Sequence, residues 1–272
     1  MYVGGNANAE AFMLAGKTAI VTGSTSGIGL GIATALAEQK INVMLNGFGE
    51  QAAIEKERKG IADKYGVKAG YSPANMSKPA DIRGMIETTE REFGAVDILV
   101  NNAGIQHVAP IEAFPDDKWD AIIAINLSAS FHAIKAAVPG MKRRGFGRII
   151  NIASAHGLVA SGEKAGYVTA KHGLVGLTKV VAVETANSGI TCNAICPGWV
   201  LTPLVQQQIE AKARETNVTV QKANEDLLGE KQPMLRFTTP EQIGALAVFL
   251  CGEGAATVTG AALSIDGGWT AQ

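Results

Sequence analysis

The chain has 272 residues, 47% hydrophobic and 18% charged, and its 24 basic and 25 acidic side chains leave a net charge of −1. That length fits one large α/β domain or two small ones, and the even charge balance excludes a basic field for nucleic acid or an anionic membrane. No run of 18 or more apolar residues marks a membrane span, and three cysteines without a paired spacing fit a reduced, cytoplasmic protein.

The first twelve residues, MYVGGNANAEAF, carry no Lys or Arg and lack the charged start and apolar core of a signal peptide. Residues 1–12 read as an extension without fixed structure, ahead of one catalytic domain over 13–272. Lys17–Thr22 reads as a buried strand, Gly23-Ser-Thr-Ser-Gly27-Ile-Gly29 follows, and a helical pattern runs through Gln39. Strand, glycine turn and helix form a dinucleotide-binding arrangement. Glycines let the backbone approach a pyrophosphate, and the helix N-terminus offers N–H groups and a positive dipole end. The spacing is GxxxGxG rather than GxGxxG, and the competing reading is a tight turn without a ligand.

A second strand, Ile41–Asn46, ends in Asn46-Gly-Phe48-Gly. An acidic residue at such an end binds the ribose 2′-OH of NAD, and an Arg accommodates the 2′-phosphate of NADP. This strand end has neither, and no Lys or Arg occurs from Ile41 to Ala53 or in the glycine turn. An extra phosphate lacks a partner, so NAD is expected. Then come a helix over Gln51–Tyr65, a weak strand over Lys68–Pro73, a helix over Pro79–Phe93, and a strand over Val96–Val100 that ends in Asn101-Asn102-Ala103-Gly104. A long helical region, Pro115–Arg144, contains Asn126. Strands over Arg148–Ala153 and Ile190–Cys196 flank a helix over Ala165–Asn187, and the last strand is Gly260–Ile265.

This alternation predicts a single-domain Rossmann-type α/β fold with a doubly wound parallel sheet of about seven strands. Residues 203–235 break the rhythm directly after a strand end, with polar, mixed-charge, helical patterning. They read as a helical substrate lid or as a plain surface excursion.

The chemistry gathers in 153–171. Ser154 closes the apolar run Ile149, Ile150, Ile152, and Tyr167 and Lys171 share a helix face at i,i+4 if Ala165 onward is helical. Turning a free tyrosine into a base at neutral pH costs about 4 kcal/mol. A nearby ammonium lowers that cost, and a serine hydroxyl can bridge the same substrate oxygen. The set suits proton transfer to and from an alcohol, although YxxxK alone recurs on any helix.

TGSTSGIG at 22–29, NNAG at 101–104, Asn126, Ser154, Tyr167-x-x-x-Lys171 and Pro197-Gly198 stand in the order and spacing of the short-chain dehydrogenase/reductases. From about Gly16 to the C-terminus the chain resembles that family. The resemblance implies that Gly23, Gly27 and Gly29 line the cofactor phosphates, with Thr25, Ile28, Phe48, Asn75, Ala103, Gly104, Pro197 and Val200 also around the cofactor. It sets Asn102 along the adenosine ribose and Thr202 against the cofactor amide or phosphate. Tyr167 becomes the acid/base and Ser154 holds the substrate oxygen. Lys171 binds the nicotinamide ribose and lowers the pKa of Tyr167, and Asn126 holds a water that passes the proton outward. Asn75 departs from the usual Asp, leaving a neutral acceptor for the adenine amino group.

A narrower resemblance, carried by NGFG at 46–49, NNAGIQH at 101–107, SAHGLVAS at 154–161, Lys164, CPGWV at 196–200 and DGGWT at 266–270, is to members that oxidise D-3-hydroxybutyrate to acetoacetate. It implies that Gln106, His156, Lys164 and Gln208 converge beside Tyr167 as donors suited to a small carboxylate. Trp199 and Trp269 would wall off water. Singly, Lys164 could be a solvated loop lysine, His156 a partner for a buried backbone group, and Trp269 a subunit contact. The family resemblance further implies a homotetramer. Two other functions stay open: a reductase of another substrate, such as a ketoacyl or sugar compound, and a non-catalytic NAD-binding regulator.

Overall fold

The structure is a computed structural model that describes residues 14–272. The expected extension over 1–12 lies outside the described residues, as does Met13. Seven strands form one sheet: β1 (Thr18–Val21), β2 (Asn42–Asn46), β3 (Ala69–Ser72), β4 (Ile98–Asn101), β5 (Gly147–Ile152), β6 (Ile190–Pro197) and β7 (Ala262–Ile265). Their order is β3-β2-β1-β4-β5-β6-β7, and every neighbouring pair is parallel. The strands match those expected, trimmed by a residue or two at most ends. The winding reverses between β1 and β4, which opens the crevice where such sheets take ligands.

Helices cover both faces, so the central strands are buried at every position rather than at alternate ones. On one face α1 (Gly27–Glu38), α2 (Gln51–Tyr65) and α9 (Pro240–Cys251) pack Ile32, Leu36, Ile61, Ile243 and Leu250 against Val21, Leu45 and Val100. On the other, α3 (Pro79–Phe93), α5 (Ala129–Arg144) and α6 (Ala165–Thr185) pack Ile82, Met85, Met141 and Val181 against Ile20, Leu99 and Ile149. The period of two along each strand deals successive residues to opposite layers. The sequence reading passed over α9, although Thr239 and Gln242 form a capping box at its start.

The region Pro115–Arg144 is helical as expected, with one local defect. Helix α4 (Asp116–Ile123) runs into α5 through a π turn, Ala124–Ser128. Among the described residues, Asp116–Arg144 has the length and hydropathy of a membrane span. It is not an uninterrupted apolar run, since Asn126, Ser128, Ser130 and His132 break up its apolar residues. Its apolar side belongs to the core, with Ile122, Ala133, Ala137 and Met141 buried.

Residues 203–235 form the expected helical excursion. Helices α7 (Pro203–Thr216) and α8 (Val220–Gly229) start at Thr202 and Thr219, whose side chains accept the N–H groups of Val205 and Lys222. The pair has its own small core of Ile209, Ala213 and Ala223, edged by Val205, Leu227 and Phe237.

Candidate active site

The glycine turn is pressed against the chain after β4. Gly23 has φ of 63°, and a Cβ there would lie 2.9 Å from the Cα of Ala103. The Asn102 amide donates to the carbonyls of Thr22 and Gly23 at 2.9 and 3.0 Å, and the Thr22 hydroxyl accepts the N–H groups of Asn102 and Ala103. Asn102 lines the cleft, and the two hydrogens of its Nδ2 brace the turn. Gly27, also left-handed, opens toward Thr202, whose methyl is 3.5 Å from a Cβ built there. Helix α1 begins here with Ser26 at its N-cap, no side-chain cap bond and no acidic residue in its first turn. The first N–H groups of α1 are therefore left for an anion. The cradle fits the phosphates of a dinucleotide.

The outer cofactor positions are more varied. The Thr25 hydroxyl donates to the Phe48 carbonyl at 3.0 Å and ties the glycine turn to the loop after β2. The Phe48 ring is 68% exposed. The Asn75 Oδ1 accepts from the backbone and hydroxyl of Ser77 at 2.9 and 2.8 Å, so the acceptor expected for an adenine amino group is engaged in its own turn. Phe48 and Asn75 do not line the cleft, nor do Gly23, Thr25, Gly27, Gly29, Ala103 and Asn126.

A cleft of about 780 Å³ opens at the carboxyl ends of the strands, lined by Ile28, Gly104, Pro197, Val200 and Thr202 on the cofactor side. Ser154, Tyr167 and Lys171 meet in it, as do Gln106, His156, Lys164, Trp199, Gln208 and Trp269. Lys171 is buried and donates to the Ile152 carbonyl at 2.7 Å, with its ammonium 5.5 Å from the Tyr167 ring centroid. Burial pushes the Lys171 pKa down to about 8. Burial also pushes the Tyr167 phenol up, opposed by the hydroxyl of Ser154. The expected lowering of Tyr167 by Lys171 is not seen here: desolvation raises the phenol, and the ammonium is bonded to the β5 carbonyl.

Ser154 also accepts the backbone N–H of His156 at 3.1 Å. The His156 ring meets Tyr167 and Trp269 edge-on, with centroids 5.9 and 5.0 Å apart, and its Nε2 is 2.9 Å from the Ser161 hydroxyl. Burial first, then the charges of Lys164 and Lys231, push its pKa down to about 4, so the imidazole is neutral. Trp199 and Trp269 stack at 6.3 Å, and the Lys164 ammonium lies 5.8 Å from the Trp199 ring centroid. Lys164 is half-buried rather than a solvated loop lysine, and burial lowers its pKa against the pull of Glu230.

Asn126 is buried and braces the loop after β4. In the π turn its Oδ1 accepts the Ile105 N–H and its Nδ2 donates to the Ile105 carbonyl, both at 2.9 Å. Its amide thus clamps the loop that carries Gln106 with one bond to Oδ1 and one from Nδ2, half of what an amide can make. The sequence reading missed Val205 and Ile105 in the lining. Val205 stands three residues before Gln208 on α7, so helical spacing could have found it.

A glycine cradle at a sheet reversal, joined to a buried serine and lysine and a half-buried tyrosine, defines a dinucleotide-dependent oxidoreductase site. The chain matches the family model described as enoyl-(acyl carrier protein) reductase over residues 22–270, and it belongs to the short-chain dehydrogenase/reductase family. It is 59% identical over 261 residues to the D-beta-hydroxybutyrate dehydrogenase of Cupriavidus necator, covering 96% of this chain and 100% of that one. The D-beta-hydroxybutyrate dehydrogenase of Rhizobium meliloti is 53% identical over 256 residues, covering 94% and 99%. Among solved structures, the L-sorbose reductase of Gluconobacter frateurii, complexed with NADPH and L-sorbose, superposes with a TM-score of 0.91 at 30% identity, covering 95% of this chain and 98% of that one.

Proposed function

We propose that this chain oxidises D-3-hydroxybutyrate to acetoacetate, reversibly, with NAD. The observation that carries the reading is the meeting of Lys164, Gln106, His156 and Gln208 with Ser154, Tyr167 and Lys171 in one cleft. One ammonium and three neutral polar groups suit one small carboxylate. The identity to two D-beta-hydroxybutyrate dehydrogenases supports the same substrate.

A bound nicotinamide would supply the hydride acceptor for C3 of the substrate. The N–H groups at the start of α1 would hold the pyrophosphate, with Thr202 in the adjoining wall. Lys164 takes the carboxylate, the neutral amides and imidazole orient it, and the stacked Trp199 and Trp269 keep water away. Ser154 holds the substrate oxygen while Tyr167 takes its proton. Residues 203–235 act as the lid, supported by Val205 and Gln208 of α7 facing the cleft. NAD is favoured over NADP because the end of β2 carries no cation for an extra phosphate.

Absorbance at the NADH band with D- and L-3-hydroxybutyrate, each with NAD+ and NADP+, tests the reading. Turnover with the D form and NAD+ alone is expected. Turnover with other alcohols but neither hydroxybutyrate would overturn the carboxylate assignment while leaving the Tyr167 chemistry. Lys164→Ala should raise KM for D-3-hydroxybutyrate at least about tenfold, the loss of a charged hydrogen bond worth roughly 1.5–3 kcal/mol, with kcat little changed. An unchanged KM would indicate a neutral substrate.

The pH dependence has opposite signs in the two directions. Oxidation needs Tyr167 to receive a proton and reduction needs it to give one. Burial raises the Tyr167 pKa, so kcat/KM for oxidation should climb into the alkaline range, while kcat/KM for acetoacetate reduction falls there. His156 stays neutral above about 4 and adds no break near neutrality. A break near neutrality that vanishes in His156→Gln would contradict this.

A homotetramer and a cytoplasmic location complete the proposal. Exposed Trp119, Phe131, Val180 and Val183 on α4 to α6 support the first, and three buried free thiols support the second. Light scattering that returned a monomer mass would refute the assembly.

A further inference from the structure

We propose that Glu163 is a positioning residue, whose left-handed backbone, clasped to Ala109, sets Lys164 in the cleft while its carboxylate stays idle. The inference rests on the reading that Lys164 takes the substrate carboxylate.

Among the described residues, the non-glycine positions with positive φ are Lys40, Glu163 and Asn217, at 63°, 62° and 54°. Lys40 and Asn217 follow the ends of α1 and α7, where a left-handed residue is an ordinary helix stop. Glu163 instead stands just before a helix, two residues ahead of α6, and Lys164 between them lies at φ −121° and ψ 35°. The neighbouring Gly162 would adopt a left-handed conformation freely, yet the glutamate is the one that takes it. A side chain persists in this region only where its surroundings hold it there, and such residues gather at ligand clamps.

The restraint is visible. The Ala109 N–H donates to the Glu163 carbonyl at 2.9 Å. Ala109 belongs to the loop after β4 that carries Gln106. On the same short segment the Ser161 hydroxyl meets Nε2 of His156 at 2.9 Å. Residues 161–164 therefore touch His156 through Ser161, hold the Gln106 loop through the Glu163 carbonyl, and present Lys164 directly. Returning Glu163 to negative φ would turn its carbonyl from Ala109 and swing the Cα–Cβ bond of Lys164. The Glu163 side chain is exposed, and the charges acting on Lys164 come from Glu230 and Lys231.

The test compares Glu163→Gly, Glu163→Asn, Glu163→Gln, Glu163→Ala and Glu163→Val with Lys164→Ala. Steady-state kinetics with D-3-hydroxybutyrate and NAD+ are read beside NADH binding by fluorescence. Glycine and asparagine, which accept positive φ, should keep KM within about twofold of the wild type, and glutamine should do the same because the carboxylate is idle. Valine, an outlier at positive φ, should raise KM at least about tenfold, with kcat and NADH affinity within about threefold. Should the valine variant fail to fold, a KM for Glu163→Ala above that for Glu163→Gly supports the inference and equality overturns it. A rise in the glutamine or glycine variant matching that of valine would overturn it, because the carboxylate would then be the acting group. Lys164→Ala raising KM while Glu163→Val does not would overturn the inference alone. Lys164→Ala leaving KM unchanged would overturn the carboxylate reading and the inference with it.

Discussion

Tyr167→Phe is expected to lower kcat for D-3-hydroxybutyrate oxidation by about 10²–10⁴-fold, the usual contribution of a positioned acid or base, while NADH binding persists. The substitution deletes one oxygen and keeps the ring. The edge-on contact with His156 at 5.9 Å and the proximity of Lys171 to the ring are retained. The wall of the cleft is therefore unchanged and only the proton acceptor is lost. Ser154 cannot take over, because it has no base of its own; the neutral His156 gives it a backbone N–H, and its ring is paired with Ser161. The nearest titratable alternative, Lys171, is bonded to the Ile152 carbonyl. Fluorescence titration with NADH and rapid kinetics in both directions check the outcome. A variant that kept more than about a tenth of wild-type turnover would remove Tyr167 from the chemistry.

Gly29→Ala is expected to cost about 1–3 kcal/mol of stability and most of the cofactor affinity. A Cβ at Gly29 meets the Gly23 carbonyl oxygen and lies 2.6 Å from the Asn102 amide nitrogen. The first of these is backbone and cannot step aside. Helix α1 must therefore tilt away, at an overpacking cost of about 1–3 kcal/mol, or the Asn102 amide must leave its two carbonyl partners, at about 1 kcal/mol for each bond. Either response moves the N–H groups at the start of α1 away from the phosphates. Gly60 in α2 is the control: nothing lies within 4 Å of a Cβ there, and alanine should stabilise that helix by roughly 0.5–1 kcal/mol. Thermal unfolding and NADH titration of the two variants separate the effects. An unshifted melting temperature and affinity for Gly29→Ala would show that the turn is looser than its contacts.

The sheet was legible because its strands are apolar runs that end in glycine or asparagine, and because helix and strand periods alternate. The carboxyl-end location of Ser154, Tyr167 and Lys171 followed from that order. The direction of side-chain amides was not legible. Asn102, Asn126 and Asn75 each have an amide able to face a ligand, and nothing in their spacing says that Thr22, Ile105 and Ser77 already engage them. Those partners lie 80, 21 and 2 residues away, and the first two contacts appear only once the chain has folded. The effect of burial on Tyr167 also lies beyond composition, because the i,i+4 spacing to Lys171 gives proximity but not the carbonyl of Ile152 that captures the ammonium.

The separate core of α7 and α8 makes substrate choice modular. Ile209, Ala213 and Ala223 pack with one another, outside the clusters that bind helices to the sheet. At the far end Gln232 is buried, accepting the Trp199 N–H and donating to the Met234 and Arg236 carbonyls. The helical pair is therefore a cassette, delimited by Thr202 and Gln232. Its sequence can drift and acquire new side chains over the cleft while the frame that moves the proton and holds the dinucleotide remains as it is.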